Sequence, residues 1–185
     1  NTEITTFNEL ENFTGLSAIS GDAFNGCSSL TEIKIPSGVT IIQNLAFSGC
    51  SLLNKDIVLD NVETLGAGAF YATGMRSIVM PNIVTVSSQW QDGYNTFGRC
   101  ANLQYVLFGK NAQSIAPYIF KNAAKCTMIV LATTPPTFGG DSFDYNGSPT
   151  FIYVPDVSVS AYSEATNWKS YASKIKPLSQ LATDN

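Results

Sequence analysis

The sequence predicts a strand-rich solenoid of about six stacked coils, and two observations support this prediction. A phenylalanine returns at intervals of 23, 23, 27, 23 and 23 residues. A common pattern surrounds it: an aliphatic residue five positions before, alanine one before, cysteine three after, leucine six after and an apolar pair nine and eleven after. A coil this short cannot bury its own apolar face, so neighbouring coils must share one core. The recurring residues are Phe24, Phe47, Phe70, Phe97, Phe120 and Phe143.

The apolar pair marks a strand in each coil. In coil one, Leu30, Ile33 and Ile35 alternate with Glu32 and Lys34, and this period of two turns the charged residues outward. The chain then returns through a second short extended segment. Parallel pairing of equivalent strands, about 4.8 Å apart, would make the backbone ladder continuous from coil to coil. The predicted inward pairs are Ile33/Ile35, Val106/Phe108, Ile129/Leu131 and Ile152/Val154.

Coils two and three depart from the pattern. In coil two, Asp56 falls at an inward position. Either the strand slips by one residue, so that Ile57 and Leu59 point inward, or Asp56 lies at the edge. In coil three the strand arrives one residue early, and extra residues around Trp90 precede the next phenylalanine. We therefore expect local irregularity at both coils.

Residues 1–185 are predicted to form a single domain with a cap at each end, because the end coils of a solenoid lack a neighbour. The N-terminal cap is expected at 1–18 and the repeats at 19–155. A helical C-terminal cap is expected at 156–178, where Ser158 is a suitable N-cap and the aromatic residues Trp168 and Tyr171 can cover the last coil. Residues 179–185 are expected to be a tail.

Composition excludes several classes of partner. The net charge is −4 and no basic run is present, so we expect no nucleic-acid partner. No apolar run approaches the ~20 residues of a membrane span, so none is expected within this chain. Charged residues make up only 13% of the chain, which suits an extracellular solenoid with neutral polar loops.

The four cysteines are predicted to be buried free thiols. Cys27, Cys50 and Cys100 share one position of the repeat, and Cys126 takes the leucine position. Equal phase stacks these side chains in the interior. If the coils lie a helix width apart on this side, ~8–10 Å, the Cα atoms are too distant for a disulfide, which needs ~7 Å or less. No C-x2-C pair and no histidine is present, so a zinc site is not expected.

The sequence offers no catalytic constellation, and we expect neither enzymatic activity nor a cofactor. The absence of histidine excludes Ser-His-Asp, Cys-His and histidine–metal arrangements. The carboxylates are scattered, and the repeat phase pairs none of them for glycoside hydrolysis. Asp141, Asp144 and Asn146 could hold Ca²⁺, but they lack the spacing of an EF-hand loop and equally suit a turn before the last coil.

Outward strand positions give a first candidate binding site. They carry Glu32 and Lys34 in coil one but become apolar or aromatic along the chain. Such a strip marks an interaction site when it is exposed over a few hundred Å². The alternative is that the cap, the inserted loop or another domain covers it. The predicted strip consists of Tyr105, Leu107, Met128, Val130, Phe151 and Tyr153.

The insertion of coil three gives a second candidate, through Trp90 and Tyr94. Loops on a rigid scaffold often carry function, and aromatic rings there could stack on a sugar or a protein partner. The alternative is that Trp90 folds back and fills the extra space.

The repeat resembles that of the BspA-type leucine-rich repeat family. The resemblance rests on A-F-x-x-C-x-x-L-x-x-I-x-I-P, on the ending I-Y-V-P…A-Y…W-x-x-Y-A-x-x-I-x-P and on the opening F-N-E-L-E-N-F-T-G-L. It implies an α/β, strand-rich leucine-rich-repeat solenoid with parallel strands and short helical turns. It also implies a non-catalytic bacterial module, secreted or at the cell surface, that mediates adhesion or binds a host or bacterial protein. Carbohydrate binding, a purely structural role and a lipid anchor on a segment outside this chain remain open.

Overall fold

A computed structural model describes residues 3–89, 93–140, 142–143 and 149–183. Its strands form three parallel sheets, one of two strands and two of six. Every coil of the repeats contributes to the six-stranded back sheet, which consists of β2 (Ala18–Ile19), β4 (Ile41–Ile42), β6 (Thr64–Leu65), β8 (Thr85–Val86), β10 (Ser114–Ile115) and β12 (Thr137–Phe138). The fold is therefore the predicted strand-rich solenoid.

The opposite side of the solenoid carries the other two sheets. A two-stranded sheet pairs β1 (Thr6–Phe7) with β3 (Glu32–Ile33). The six-stranded front sheet consists of β5 (Ile57–Val58), β7 (Ser77–Met80), β9 (Tyr105–Phe108), β11 (Thr127–Val130), β13 (Ile152–Val154) and β14 (Ile175–Pro177). This side is thus interrupted between coils one and two, whereas the back sheet runs through that junction without a break.

The recurring phenylalanines stack along the solenoid axis. The Phe24 and Phe47 rings are 5.1 Å apart with their planes 2° apart, and Phe47 continues to Phe70 at 5.2 Å. Phe97, Phe120 and Phe143 form a second stacked series at 5.5 and 4.8 Å. All six rings are buried. The repeat spacing thus sets one aromatic ring per coil in a shared core.

The turns around each phenylalanine bring the coils to strand spacing. Positive φ angles recur two residues before it, as at Asp22, and two residues after it, as at Gly26. Backbone hydrogen bonds then join neighbouring coils: Phe24 N–H donates to Ala46 at 2.8 Å, and Gly26 N–H donates to Ser48 at 2.8 Å. The helical turns expected here are short irregular turns in the described residues.

The coils lie closer together at the cysteines than the sequence led us to expect. In the turns that carry the cysteines, neighbouring coils are not a helix width apart, because inter-coil backbone hydrogen bonds hold them at ladder distance. The four thiols are nevertheless buried and free, as predicted. The Cys50 thiol donates to the Phe24 carbonyl of the previous coil at 3.2 Å, and the Cys100 thiol contacts the Phe70 carbonyl at 3.1 Å. The recurrent cysteine therefore satisfies a backbone acceptor in the turn.

In the two irregular coils, the strands are shifted by one residue relative to coil one. In coil two Ile57 and Leu59 point inward and are buried, whereas Asp56 is exposed. In coil three Ile78 and Met80 are fully buried, one residue earlier than in coil one, as expected.

The predicted register of coil five is wrong. Strand β11 pairs Met128 with Val106 and Val130 with Phe108, so Met128 and Val130 face the core and are fully buried. Ile129 takes the outward position instead. Because residues 128–131 are all apolar, hydrophobic alternation cannot distinguish the two registers.

The C-terminal cap docks through both rings and polar groups. It contains 3₁₀ helices at Asp156–Ser158, Trp168–Lys174 and Leu178–Gln180 and the helix α1 (Val159–Glu164). The Trp168 ring stacks on Phe138 at 4.2 Å, and its Nε1 donates to Pro136 at 2.8 Å. The Tyr162 hydroxyl donates to Ala132 at 2.8 Å. The sequence did not indicate β14, which pairs with β13 and extends the front sheet into the cap.

The N-terminal cap combines strand pairing with a short 3₁₀ helix, Asn8–Asn12. Leu10 of this helix is buried, and the Phe7 ring meets Phe24 at 5.9 Å. Both open ends of the aromatic stack are therefore covered, since Tyr171 meets Phe143 edge-on at 5.4 Å. In the described part of the chain, no helix is long and apolar enough to cross a membrane.

Candidate functional site

The outward face of the front sheet carries a continuous row of apolar side chains. Strand register places one such residue on each of five neighbouring strands, β5 to β13. We call this set the apolar row: Val58, Val79, Leu107, Ile129 and Tyr153.

Exposure of the apolar row falls from one end to the other. Val58 is 52% exposed, and Val79 and Leu107 are half-buried. Ile129 is only 9% exposed and Tyr153 only 1%. Accessible apolar surface is therefore concentrated on coils two to four, with Tyr105 beside it at 38% exposure.

This arrangement changes the predicted strip. Tyr105, Leu107, Phe151 and Tyr153 lie at outward register positions, but Met128 and Val130 do not. Tyr153 is nearly inaccessible, and Phe151 is half-buried with the Lys176 ammonium 3.7 Å from its ring centroid. Sequence reasoning missed Val58, Val79 and Ile129. The slipped register of coil two was the signal for Val58, since Ile57 and Leu59 pointing inward turn Val58 outward.

Beside the apolar row runs a more polar one. Ser77, Tyr105 and Thr127 are register neighbours at the preceding outward position. The Ser77 hydroxyl donates to Asp56 Oδ1 at 2.8 Å, so the carboxylate that disturbs the repeat has a partner at this edge. Aromatic, hydroxyl and aliphatic groups thus share one face, a composition suited to a protein interface.

A cleft adjoins the exposed end of the apolar row, between β3 and β5. Its volume is about 370 Å³, within the usual range of ligand pockets. The half-buried Ile33 and Ile35 line one wall, and Ile57 and Val58 line the other. Phe47 and Phe70 lie beneath, buried within the aromatic stack.

Charged side chains surround the mouth of the cleft. Lys55 Nζ lies 2.9 Å from Glu32 Oε2, and Lys34 Nζ lies 3.2 Å from Glu11 Oε1. The hydrogen bond and positive charge of Lys55 hold the pKa of Glu32 below its ordinary value, with a smaller contribution from Asn8. Both ion pairs are exposed and therefore screened by solvent.

The second predicted site is only partly covered by the structure. Trp90 lies outside the described residues. Tyr94 is exposed, and its ring meets Tyr71 edge-on at 6.0 Å. Its Cβ would stand 3.0 Å from a Cβ placed on Gly68, in the turn before Phe70. Tyr94 therefore belongs to the turn region and not to the front sheet.

We find no metal-binding cluster and no activated nucleophile among the described residues. They contain no group of three or more metal-ligating side chains. Burial raises the pKa of the Cys50 and Cys126 thiols to about 12 and that of Cys100 to about 11. These thiols are protonated at neutral pH and are not poised as nucleophiles.

Comparison with known proteins identifies the repeat. The model of the BspA type leucine-rich repeat region matches the chain in six copies, over residues 2–91 and 91–168. A search of the curated proteins finds no match. The match covers most of the chain and agrees with the parallel coils and their phenylalanine spacing. The chain therefore belongs to the BspA-type leucine-rich repeat family.

Proposed function

We propose that this chain is a non-catalytic module of the bacterial cell surface or of secreted proteins, which mediates adhesion or binds another protein. The observation that carries the proposal is the more accessible end of the apolar row, with Val58 exposed and Val79 and Leu107 half-buried, and with the exposed Tyr105 beside it. The family supports a surface repeat module, because proteins of this type are typically associated with the surface.

The chemistry of this face favours a protein partner. Aliphatic side chains from three neighbouring strands offer a continuous apolar surface, and Tyr105 adds a hydroxyl beside it. Tyrosine is among the residues that commonly dominate binding at the centre of an interface, and the neighbouring aliphatic side chains exclude water around it. The partner's own apolar residues would cover Leu107 and Val79 and lie against the Tyr105 ring.

Variants on coil four test the proposal. The wild-type chain is applied to an array of purified extracellular host and bacterial proteins, alongside Tyr105→Ala combined with Leu107→Ser. We expect at least one protein to bind the wild type and to bind the double variant at least ten-fold more weakly. Ile41→Ser is the matched control, since Ile41 is an exposed aliphatic residue of the back sheet. Equal binding by the double variant, with its unfolding unchanged, would contradict the proposal.

Carbohydrate binding remains a second candidate because of the Tyr71–Tyr94 ring pair. Aromatic faces can stack on sugar rings, and the Arg99 guanidinium lies 5.8 Å from the Tyr71 ring centroid. A glycan array separates the two functions. Glycan binding that Tyr94→Ala abolishes and that the coil-four variant leaves unchanged would favour this candidate.

A further inference from the structure

The cleft between β3 and β5 is bounded by two strand edges that lack a neighbour in the described part of the chain. Strand β3 pairs only with β1, and β5 pairs only with β7. The same two coils are paired on the back sheet, where Ala18 faces Ile41 and Ile19 faces Ile42. The coils are therefore joined at the back and open at the front.

Backbone groups of alternate residues point into this opening. Along the front side, outward-facing strand residues direct their backbone groups to the preceding coil, as the N–H of Tyr105 does toward Arg76. Because successive residues of a strand direct their backbone groups to opposite sides, Glu32 directs its groups toward β1, whereas Ile33 and Ile35 direct theirs toward the cleft. This wall consequently offers N–H and C=O groups at the spacing of a strand.

The second wall of the cleft, formed by β5, also directs backbone groups into the opening. Leu59 N–H donates to the Val79 carbonyl at 2.9 Å, toward β7. Asp56 and Val58 therefore direct their N–H and C=O groups toward the cleft. A strand edge of this kind is the surface to which an extended peptide adds.

Core side chains are also accessible here. Ile33 and Ile35 are half-buried, whereas their counterparts Ile78 and Val106 in the closed coils have no exposure. An aliphatic side chain entering the cleft would cover these two isoleucines. The aromatic rings beneath are buried at 0% and 1% exposure, so they offer no face on which a sugar could stack. Strand-spaced amides and an aliphatic pocket together favour a peptide.

We propose that this cleft binds an extended segment of a protein partner, which adds as a strand along β3 or β5 and places one aliphatic side chain against Ile33 and Ile35. This proposal deepens the proposed function and rests on it. The mouth favours a neutral or basic segment: four of its five charged groups form ion pairs, and the remaining carboxylate, Asp56, accepts a hydrogen bond from the Ser77 hydroxyl and faces no cation among the described residues.

The test removes one backbone donor from the cleft. Val58→Pro deletes an N–H that the ladder with β7 does not use, and an edge strand tolerates proline at such a position. Val58→Thr is the matched control because it keeps both the N–H and the side-chain shape. The probe is a phage-displayed library of seven-residue peptides selected on the wild-type chain, and the enriched peptides are synthesised for affinity measurement.

We expect the enriched peptides to bind Val58→Thr within about two-fold of the wild type and Val58→Pro at least ten-fold more weakly. Ten-fold corresponds to about 1.4 kcal/mol, the order expected for one backbone hydrogen bond. A peptide methylated at alternate backbone nitrogens should lose affinity to a similar degree. This second measurement uses the wild-type protein and does not depend on how well the proline variant folds.

Failure of this inference is distinguishable from failure of the proposed function. If no peptide is enriched, or if both Val58→Pro and backbone methylation leave peptide affinity unchanged, the cleft proposal is overturned. A partner that the coil-four variant fails to bind would still support the function in that case. Glycan binding lost in Val58→Pro and kept in Val58→Thr would also overturn the cleft proposal, since it would assign the cleft to a sugar.

Discussion

Lys55 Nζ lies 2.9 Å from Glu32 Oε2, and this ion pair spans the mouth of a cleft between two strands that do not pair. Elsewhere on the front side, backbone hydrogen bonds join one coil to the next. At this junction a side-chain contact takes their place. One wall of the cleft belongs to coil two, where an extra residue before Ile57 shifts the strand relative to coil one.

We predict that Lys55→Met raises the pKa of Glu32 toward the ordinary value of a glutamate. Lys55 is the largest cause of the lowered pKa, through a hydrogen bond and through its charge. The lowered pKa means that the pair stabilises the fold at neutral pH and ceases to do so as the pH falls through the carboxyl range. NMR titration of the Glu32 side chain measures the change.

Lys34→Met is the control for this titration. Lys34 pairs with Glu11, and its charge is the smallest of the causes that act on Glu32. It should raise the pKa of Glu32 less than Lys55→Met does. An equal rise in the two variants would show that the cleft-spanning contact is not formed in solution.

We predict that Phe47→Ala lowers the free energy of unfolding by about 3–5 kcal/mol. Phe47 is fully buried and stacks between Phe24 and Phe70. A loss of this size is a large share of the ~5–15 kcal/mol that stabilises a typical domain. Phe13→Ala is the control, because Phe13 is exposed, and it should change the midpoint of urea unfolding little. Similar midpoints for both variants would argue against a shared aromatic core.

The raised pKa of the buried Cys50 thiol predicts that the fold loses stability at alkaline pH. Burial raises the pKa of Cys50 from 9.0 to about 12. Between these values the unfolded chain releases a proton that the folded chain keeps, so the free energy of unfolding falls as pH rises, by up to about 1.4 kcal/mol per pH unit for this thiol. Below pH 9 the contribution is fully present.

Cys50→Ala isolates this contribution from other groups that titrate at high pH. Urea unfolding at pH 8, 9, 10 and 11 should show a shallower decline of stability for Cys50→Ala than for the wild type. Parallel declines would mean that the thiol is solvated in the folded protein. Native mass spectrometry after iodoacetamide treatment at pH 8 should also find no alkylation of Cys50.

We predict that Gly109→Ala is destabilising because two coils meet closely at this glycine. A Cβ at position 109 would overlap the backbone of Pro81 in the preceding coil. Gly15→Ala is the control, since a Cβ there meets nothing within 4 Å. Thermal unfolding should show a clear fall for Gly109→Ala alone. Equal melting temperatures would contradict the close approach of coils three and four.

The sequence predicted the architecture well because the repeat encodes it many times. The recurring phenylalanine, the apolar pair and the cysteine that three coils share were enough to predict the stacked rings, the buried thiols and the parallel strands. Strand register was predicted from polar alternation in coil one, as at Glu32 and Lys34, and from the phase of the repeat in coils four and six, where Val106 and Ile152 are fully buried. In residues 128–131 every side chain is apolar, and the predicted register was off by one.

The candidate site was harder to predict from the sequence than the fold, for two physical reasons. Exposure depends on what covers a residue, and outward phase alone cannot separate Val58 from the nearly inaccessible Tyr153. The cleft depends on how two coils pair at front and back, a relation between segments distant in the chain. Asp56 signalled a slip in the strand but not the opening that accompanies it.

Hydrogen–deuterium exchange of the complex with a protein partner bound by the wild-type chain tests the central claim most directly. We predict that binding slows amide exchange in the front sheet, at residues 56–58, 77–80 and 105–108, and leaves the back-sheet strands β2, β4, β6 and β8 unchanged. Protection confined to the back sheet or to the turns around Tyr94, with the front sheet unchanged, would contradict the account.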